Sequence, residues 1–195
     1  MAKDTKTFQN LMNAFAGESQ AFQRYTMYAK IAKKDGYNNI KSIFEETAAN
    51  ERMHARLFYD LLSEMVGEEN MPETMGLTAE YPIARKSTYD NLMFAANGEH
   101  EEFDDYNEMA KTAEEEGFPK ASMRFKMIAD IEKHHGDRYE KIANLLKVEE
   151  LMHKSEDVYW KCDVCGHIHY GAKAPAACPV CAHGNGHFEL NAPTI

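Results

Sequence analysis

Two helical motifs in this sequence combine a carboxylate with an imidazole at a spacing that suits a metal ion. Glu51 and His54 form one Glu-x-x-His motif, and Glu132 and His135 form another. Residues three apart lie on one face of an α-helix, about 4.5 Å apart along its axis. Both side chains of each motif can therefore reach one metal ion.

These motifs belong to an internal duplication, in which the second half of the helical region follows the first at an offset of 81 residues. Each half carries one Glu, followed 33 residues later by a Glu-x-x-His motif. Four carboxylates and two imidazoles in this arrangement are how ferritin-like bundles hold two metal ions. The predicted ligands are Glu18, Glu51, His54, Glu99, Glu132 and His135. Buried ion pairs between helices are the alternative.

The predicted ligands have different roles. Glu18 and Glu99 would bind one metal ion each, Glu51 and Glu132 would bridge the two ions, and the histidines would complete the set. A site made mostly of carboxylates favours iron or manganese over structural zinc, which prefers thiolates.

The two halves differ at one position beside this set. Ala21 in the first half corresponds to Glu102 in the second, and Glu102 lies three residues after Glu99 on the same helical face. We interpret Glu102 as a seventh ligand that makes the two metal ions inequivalent. A solvated carboxylate in the acidic run 99–105 is the alternative.

Two tyrosines occupy matching positions near the ligands. Tyr25 and Tyr106 each lie seven residues beyond a predicted ligand, about two turns along the same helical face. A hydroxyl group there can donate a hydrogen bond that orients a ligating carboxylate. We predict this role for both, with plain core packing as the open alternative.

Four helices must position these residues. Apolar side chains recur at steps of three and four residues over about 5–34, 38–66, 84–116 and 119–148. The predicted ligands lie on the apolar faces and therefore point into the bundle. Pro and Gly residues interrupt the pattern over 67–83 and predict a long crossover. The expected fold is mainly α, a ferritin-like four-helix bundle with a long crossover.

The four cysteines form two Cys-x-x-Cys pairs, separated by twelve residues, in a short tail after the helices. Four thiolates at this spacing bind one Zn or one Fe in a tetrahedral site. These ligands are Cys162, Cys165, Cys178 and Cys181. The aromatic side chains predicted to cover this site and exclude water, as an iron site would require, are Tyr159, Trp160, Tyr170 and Phe188. We divide the chain into a helical domain over 1–148 and a metal-binding tail domain over 156–195.

Charge and hydropathy argue against several functions. A formal net charge of −10 disfavours a nucleic-acid surface, which needs a basic stripe, and docking on an anionic membrane. No stretch has the roughly 20 apolar residues of a membrane span, and no apolar segment typical of a signal peptide follows the N-terminus. Cysteine pairs without an export signal indicate metal binding rather than disulfides, and we predict a cytoplasmic location.

Together these motifs resemble the rubrerythrin family over nearly the whole chain. The resemblance rests on Ala-Phe-Ala-Gly-Glu18-Ser-Gln, the two Glu-x-x-His motifs, Gly-Glu99-x-x-Glu102 and the cysteine pairs, the second reading Cys-Pro-x-Cys-Ala-His. It implies a non-haem di-iron centre in the bundle and one Fe held by four Cys in a rubredoxin-like tail domain. Ala182 departs from the Gly that commonly follows the fourth Cys in free-standing rubredoxins.

The resemblance also implies an activity. A protein of this kind is expected to be a peroxidase that reduces hydrogen peroxide to water and protects the cell from oxidative stress. In that family one iron moves between a Glu like Glu102 and a His like His54 as the redox state changes. Electrons would come from a rubredoxin or an NAD(P)H-dependent reductase, here NADH-linked, and pass through the tail iron. Head-to-tail association into a homodimer is implied as well.

Three other functions remain open from the sequence. A ferroxidase or iron-storage protein of the ferritin kind would use the same bundle, although storage needs no electron relay. An interaction protein would carry zinc in the tail. An oxygen-activating di-iron oxygenase would need an apolar substrate pocket beside the metal ions.

Overall fold

Four long helices form the larger part of the molecule, as predicted. The computed structural model describes residues 2–74, 76–77 and 81–191. The helices are α1 (Lys6–Lys34), α2 (Asn38–Val66), α3 (Thr88–Glu115) and α4 (Pro119–Lys147). Short turns with a left-handed glycine, Gly36 and Gly117, join α1 to α2 and α3 to α4. Within the described residues, no helix is long and apolar enough to span a membrane.

The start of α3 differs from the prediction by four residues. The expected start at 84 is wrong because Ser87 is the N-cap, and its hydroxyl accepts a hydrogen bond from the N–H of Asp90. The preceding chain runs along α1 instead, where the Tyr28 hydroxyl donates to the Ala84 carbonyl oxygen at 3.1 Å. Residue 75 and residues 78–80 of the predicted crossover lie outside the described residues, as do residue 1 and residues 192–195 of the two predicted domains.

The sequence duplication is visible as a pseudo-twofold relation between the two helical pairs. Glu116, at the end of α3, accepts hydrogen bonds from the N–H and hydroxyl of Thr7 at the start of α1, at 2.7 and 2.6 Å. Asp35, at the end of α1, accepts the equivalent bonds from Thr88 at the start of α3, at 3.2 and 2.6 Å. Thr7 and Asp35 correspond to Thr88 and Glu116 at the repeat offset. Each helical pair therefore caps the other, and α1 and α3 run antiparallel.

Two aromatic clusters fill the bundle on either side of its middle. One contains Tyr25, Phe44 and Tyr139, and the other contains Phe58, Tyr106 and Phe125. These are repeat equivalents of each other, and all are buried. Between them lies the level of the bundle that carries the predicted ligands, so buried aromatic side chains enclose the centre on both sides.

The tail forms a small antiparallel sheet in the order β2-β1-β3. Its strands are β1 (His153–Cys162), β2 (Ile168–Lys173) and β3 (Phe188–Leu190). Trp160 and Phe188 are fully buried against two of the cysteines, as the predicted aromatic cover requires. Tyr159 and Tyr170 do not belong to that cover. They are 55% and 58% exposed and pack on each other across β1 and β2, because strand alternation points them away from the metal-binding side.

The tail packs on one end of the bundle. At Gly186 an added Cβ would lie 1.7 Å from the Gly36 carbonyl oxygen, in the α1–α2 turn. Only glycine permits this approach. The tail is therefore seated at the N-terminal end of α2 and away from the middle of the helices.

Candidate metal centre

The six predicted bundle ligands converge at the middle of the four helices. The carboxylates of Glu18 on α1, Glu51 on α2, Glu99 on α3 and Glu132 on α4 are all fully buried. His54 and His135 are buried beside them. Because each helix contributes its apolar face, helical phase alone directs these polar groups inward.

The ligand atoms form two overlapping groups. One consists of Glu18, Glu51, His54 and Glu132, and the other of Glu51, Glu99, Glu132 and His135. The atoms of each group lie within 4.8 Å of one another. Glu51 and Glu132 belong to both groups, which is the placement that bridging ligands between two ions require. Glu18 and Glu99 belong to one group each.

The hydrogen bonding of this centre is incomplete without cations. His54 Nδ1 lies 2.9 Å from oxygens of both Glu51 and Glu132 and 3.8 Å from Glu18. One N–H cannot satisfy three carboxylates, and only the contact with Glu51 has hydrogen-bond geometry. One oxygen of each buried carboxylate has no hydrogen-bond partner among the described residues: Glu18 Oε2, Glu51 Oε1, Glu99 Oε2 and Glu132 Oε1. Buried charges of this kind are normally paired or bound to metal, so these residues fit two metal ions.

Burial and crowding shift the protonation of the metal-free centre. The pKa of Glu18 is raised well above its ordinary value by burial and then by the Glu132 charge. The pKa of Glu99 is raised by burial and the Glu51 charge. Burial disfavours charged His135, but the nearby carboxylates of Glu132, Glu51 and Glu99 outweigh it and raise its pKa to about 12. Against burial, the two histidines lower the pKa of Glu51 to about 2. In the metal-free protein, protons therefore offset part of the buried negative charge.

We expect the metal-free protein to lose stability as the pH rises from about 6.5 to 9. Folded His135, with a pKa of about 12, keeps a proton that the unfolded chain releases near pH 6.5. The folded state then binds more protons, so the free energy of unfolding falls by up to about 1.4 kcal/mol per pH unit for this histidine. The raised pKa of Glu18 acts in the same direction above about pH 4.5. The depressed pKa of Glu51 acts only below that pH and adds no slope here.

Metal-loaded protein should behave differently, because cations bind deprotonated ligands and their binding free energy grows with pH. Thermal unfolding followed by circular dichroism, with and without chelator between pH 6 and 9, measures both trends. A melting temperature of the metal-free protein that rises with pH over this range would contradict the assigned protonation.

The two predicted tyrosines donate hydrogen bonds to ligands, and they do so across the repeat. Tyr25 on α1 donates to Glu99 Oε1 at 2.5 Å, and Tyr106 on α3 donates to Glu18 Oε1 at 2.6 Å. Each hydroxyl thus holds the terminal carboxylate of the opposite half. The sequence showed that each tyrosine lies near a ligand, but the partner depends on how α1 packs against α3.

Removing either hydroxyl should weaken the centre by about 10- to 100-fold in metal affinity or turnover, the usual cost of losing a partner that orients a ligand. Tyr25→Phe and Tyr106→Phe each delete one bond and retain the ring. Tyr28→Phe is the matched control, since Tyr28 lies in the same helix and donates to the Ala84 carbonyl oxygen instead. Iron content and peroxide turnover should drop in the first two variants and be unchanged in the control.

Glu102 lies beside the centre without joining either ligand group. Glu102 as a whole is half-buried, but its Oε2 is buried and has no hydrogen-bond partner among the described residues. Its pKa is raised well above the ordinary value by burial and then by the charges of Glu18 and Glu99. Glu102 is therefore close enough to the ligands for their charges to act on it.

Sequence reasoning missed one charged residue at this site, Arg24. It is 7% exposed, its Nη2 donates to the Tyr25 hydroxyl oxygen at 3.4 Å, and its guanidinium lies 5.1 Å from the centre of the Tyr25 ring. The repeat offset pairs Arg24 with Asp105. That reversal of charge between otherwise similar halves is the signal that could have identified it.

The four cysteines form the second predicted site. All four Sγ atoms lie within 4.8 Å of one another, with Cys162 to Cys181 at 3.7 Å and Cys165 to Cys178 at 3.6 Å. A tetrahedral ion with metal–sulfur bonds of about 2.3 Å requires sulfur–sulfur distances of about 3.8 Å. A disulfide requires about 2.05 Å. The cysteines therefore fit a single tetrahedral ion, as predicted.

Two tight turns shape the sulfur site. Gly166 and Ala182 directly follow the second cysteine of each pair, and both have a left-handed backbone, with φ of 76° and 61°. The turns allow backbone N–H groups to reach sulfur. Burial opposes the thiolate of Cys178, but N–H groups of Cys181 and Val180 outweigh it and lower its pKa to about 7. In the second turn Ala182 adopts the same left-handed conformation that Gly166 adopts in the first, although it is not a glycine.

Comparisons with known proteins agree with this geometry. Residues 9–143 match the rubrerythrin family model, and residues 160–189 match the model of the rubrerythrin rubredoxin-like domain. The chain is 48% identical to rubrerythrin-1 of Clostridium acetobutylicum, with 96% of this chain and 95% of that protein covered. It is 38% identical to rubrerythrin of Nitratidesulfovibrio vulgaris, with 96% and 95% covered.

Solved structures show the same fold. Fully reduced nigerythrin is similar with a TM-score of 0.64 and 34% identity, with 97% of this chain and 91% of that chain covered. A bacterioferritin from Desulfovibrio desulfuricans shares the fold with a TM-score of 0.64 at 21% identity, with 74% and 82% covered.

These findings define the cofactors and the class of activity. The bundle holds a non-haem di-iron site with carboxylate and histidine ligands, and the tail holds a rubredoxin-like site of four cysteines. The protein is an oxidoreductase of the peroxidase class that acts in oxidative stress. By its two family matches, which together cover most of its length, the chain belongs to the rubrerythrin family.

Proposed function

We propose that this chain reduces hydrogen peroxide to water at the helical centre, with electrons relayed through its four-cysteine site. Each turnover consumes one peroxide, two electrons and two protons and yields two water molecules. The observation that carries the proposal is the pair of buried ligand groups that share Glu51 and Glu132. Two iron ions bound there would supply the two electrons together, which cleavage of one O–O bond requires.

Each bundle residue has a proposed part in holding this pair. Glu51 and Glu132 would be shared by the two ions, and their negative charges would keep two cations at close range. Glu18 and Glu99 would hold one ion each, with their orientation fixed by the tyrosine hydroxyls. The histidines would offer Nδ1, the atom that faces the carboxylates.

Glu102 is proposed as the seventh ligand, on one side only. At the repeat offset Glu102 corresponds to Ala21, which carries no charge. The two ions would therefore differ in the charge around them. If the Glu102 carboxylate binds its ion in one charge state of the centre and dissociates from it in the other, it would compensate the change in charge.

We propose that the tail delivers the electrons that reduce the bundle centre again after each turnover. We divide the chain into a catalytic domain over 1–148 and an electron-transfer domain over 156–195. An external donor, such as a rubredoxin or an NADH-dependent reductase, would reduce the tail iron one electron at a time. Thiolates reserved for metal rather than disulfides fit a reducing cytoplasm.

The position of the tail supports a head-to-tail homodimer. From Asn38, beside the tail, to Glu51 the helix rises about 20 Å, and electron tunnelling weakens steeply over such a distance. Exposed apolar side chains on the outer faces of α2 and α4 offer a surface for a second copy: Met53, Met123, Met127 and Ile131, which are 39% to 56% exposed. An antiparallel partner would bring its tail towards this chain's centre.

Metal analysis with visible spectra of the purified protein tests the proposal. We expect two iron ions in the bundle and one in the tail, and reduced protein should be reoxidised by stoichiometric peroxide and turn over repeatedly with a donor. A bundle without iron, or no reaction with peroxide, would reject it. A large hollow shell on size-exclusion chromatography would favour iron storage instead.

A further inference from the structure

A cavity of about 280 Å³ opens between α1 and α3 beside the metal centre. Residues 81–82 of the crossover cover part of it. Its charged and phenolic lining consists of Arg24, Tyr81, Glu101, Glu102, Asp105 and Tyr106. Tyr106 donates to the ligand Glu18, so the wall of this cavity touches the groups that hold the centre.

Two glycines leave this space open. Gly17 and Gly98 are repeat equivalents, each directly precedes a terminal ligand, and both line the cavity. An added Cβ at Gly17 would meet no atom within 4 Å, and one at Gly98 would meet only Arg24 Nη2, at 3.7 Å. The gap therefore lies where the two halves of the bundle face each other, directly outside Glu18 and Glu99.

Arg24 is the unusual group in this cavity. The side chain is 7% exposed, yet its Nε is buried without a hydrogen-bond partner among the described residues. A buried donor of a charged group left unpaired is costly and needs an explanation. Glu102 faces the same space with an unpaired Oε2. A buried donor and a buried acceptor thus line one cavity, and neither has a partner.

The charges of the lining indicate what fits between them. A guanidinium offers only donors, and an ionised carboxylate offers only acceptors. With one guanidinium and three carboxylates, the cavity has no excess of positive charge that would favour an anion. A small neutral molecule that both donates and accepts hydrogen bonds suits it, and hydrogen peroxide has two O–H donors and lone pairs on both oxygens.

We propose that hydrogen peroxide enters through this cavity and that Arg24 binds it there, with the guanidinium donating hydrogen bonds to the peroxide oxygens. The inference rests on the proposed peroxide reduction and adds the residue that captures the substrate. The repeat equivalent of Arg24 is Asp105, which lines the same cavity, so the cavity contains a guanidinium from α1 only. Glu102, on the facing helix α3, accepts from the peroxide O–H.

Kinetics of the iron-loaded protein provide the first test. Arg24→Met keeps an apolar stem and removes the donors, and it should raise KM for hydrogen peroxide at least about tenfold, as for a lost hydrogen bond to a charged group. The kcat at saturating peroxide should be nearly unchanged, and Arg24→Lys should restore part of the KM effect. Arg56→Met, which removes a guanidinium paired with Asp60 on the surface, is the matched control.

Two further measurements keep the proposal testable if Arg24→Met does not fold. Gly17→Leu should lower kcat/KM by filling the gap, and leucine favours the helix over glycine by roughly 1 kcal/mol, which protects the fold. Crystals of protein loaded with redox-inert zinc and soaked in hydrogen peroxide should show a two-atom ligand within hydrogen-bond distance of Arg24.

Specific results would overturn the inference. A KM within twofold of wild type in Arg24→Met, or only water beside Arg24 in the soaked crystals, would do so. A fall of kcat at constant KM would also do so, because it would assign Arg24 to holding Tyr25 instead. These outcomes presuppose that wild-type protein reduces peroxide. If it does not, the proposed function fails first.

Discussion

Glu51→Ala should empty the bundle of both metal ions and abolish peroxide turnover. Glu51 belongs to both ligand groups, and its Oε1 and Oε2 lie 3.3 and 2.9 Å from the Nδ1 atoms of His135 and His54. Its loss removes a ligand from each ion and leaves the remaining carboxylates to repel one another. We expect turnover to fall by at least about 100-fold, above the usual loss for a residue that only orients a ligand.

Metal analysis of the same variant makes the expectation specific. Iron in the bundle should be close to zero, whereas the tail should keep its single ion. Glu46→Ala is the matched control, since Glu46 lies on the same helix but is exposed and pairs with Arg138. Glu18→Ala offers a finer comparison, because Glu18 belongs to one group and its loss should affect one ion more than the other. Retention of both irons in Glu51→Ala would refute the bridging role.

Much of this centre could be predicted because the relevant information is local. A Glu-x-x-His spacing fixes the face of a helix, and the 81-residue repeat shows that the same face occurs twice. The helix ends follow from the same local chemistry, since Gly36 and Gly117 adopt the left-handed backbone expected of helix C-termini. The family resemblance supplied the iron and the activity, and the comparisons confirmed them.

What the sequence left undetermined depends on contacts between helices. Tyr25 could have oriented Glu18 in its own helix, and only the antiparallel packing of α1 on α3 directs it to Glu99. The buried position of Arg24 depends on the same interface and on the crossover that covers it. In the tail, two tyrosines look equivalent to the buried aromatic residues by composition, but strand alternation exposes them.

Cys162→Ser should separate electron delivery through the tail from the reaction with peroxide in the bundle. Cys162 is fully buried in the tail and supplies one of four sulfur ligands. Without a working tail iron, the steady-state rate with an external donor should fall to background. Chemically reduced protein should still react once with peroxide at the wild-type rate, because the bundle is intact. Wild-type protein with zinc in the tail is the control for folding, since it keeps the tail structure and carries no electrons. Normal steady-state turnover in either form would reject the relay.

The same variant tests whether a tail passes electrons to the bundle of its own chain or to the bundle of the partner subunit. A mixed dimer of one Cys162→Ser chain and one Glu51→Ala chain has a single intact bundle and a single intact tail, on different chains. If electrons pass between subunits, as the rise of about 20 Å from the tail to the centre within one chain favours, the mixed dimer should regain turnover that neither parent dimer has. If each tail serves its own bundle, the mixed dimer should be as inactive as its parents. Differently tagged chains, co-expressed and purified over both tags, supply the mixed species, and its steady-state rate separates the two routes.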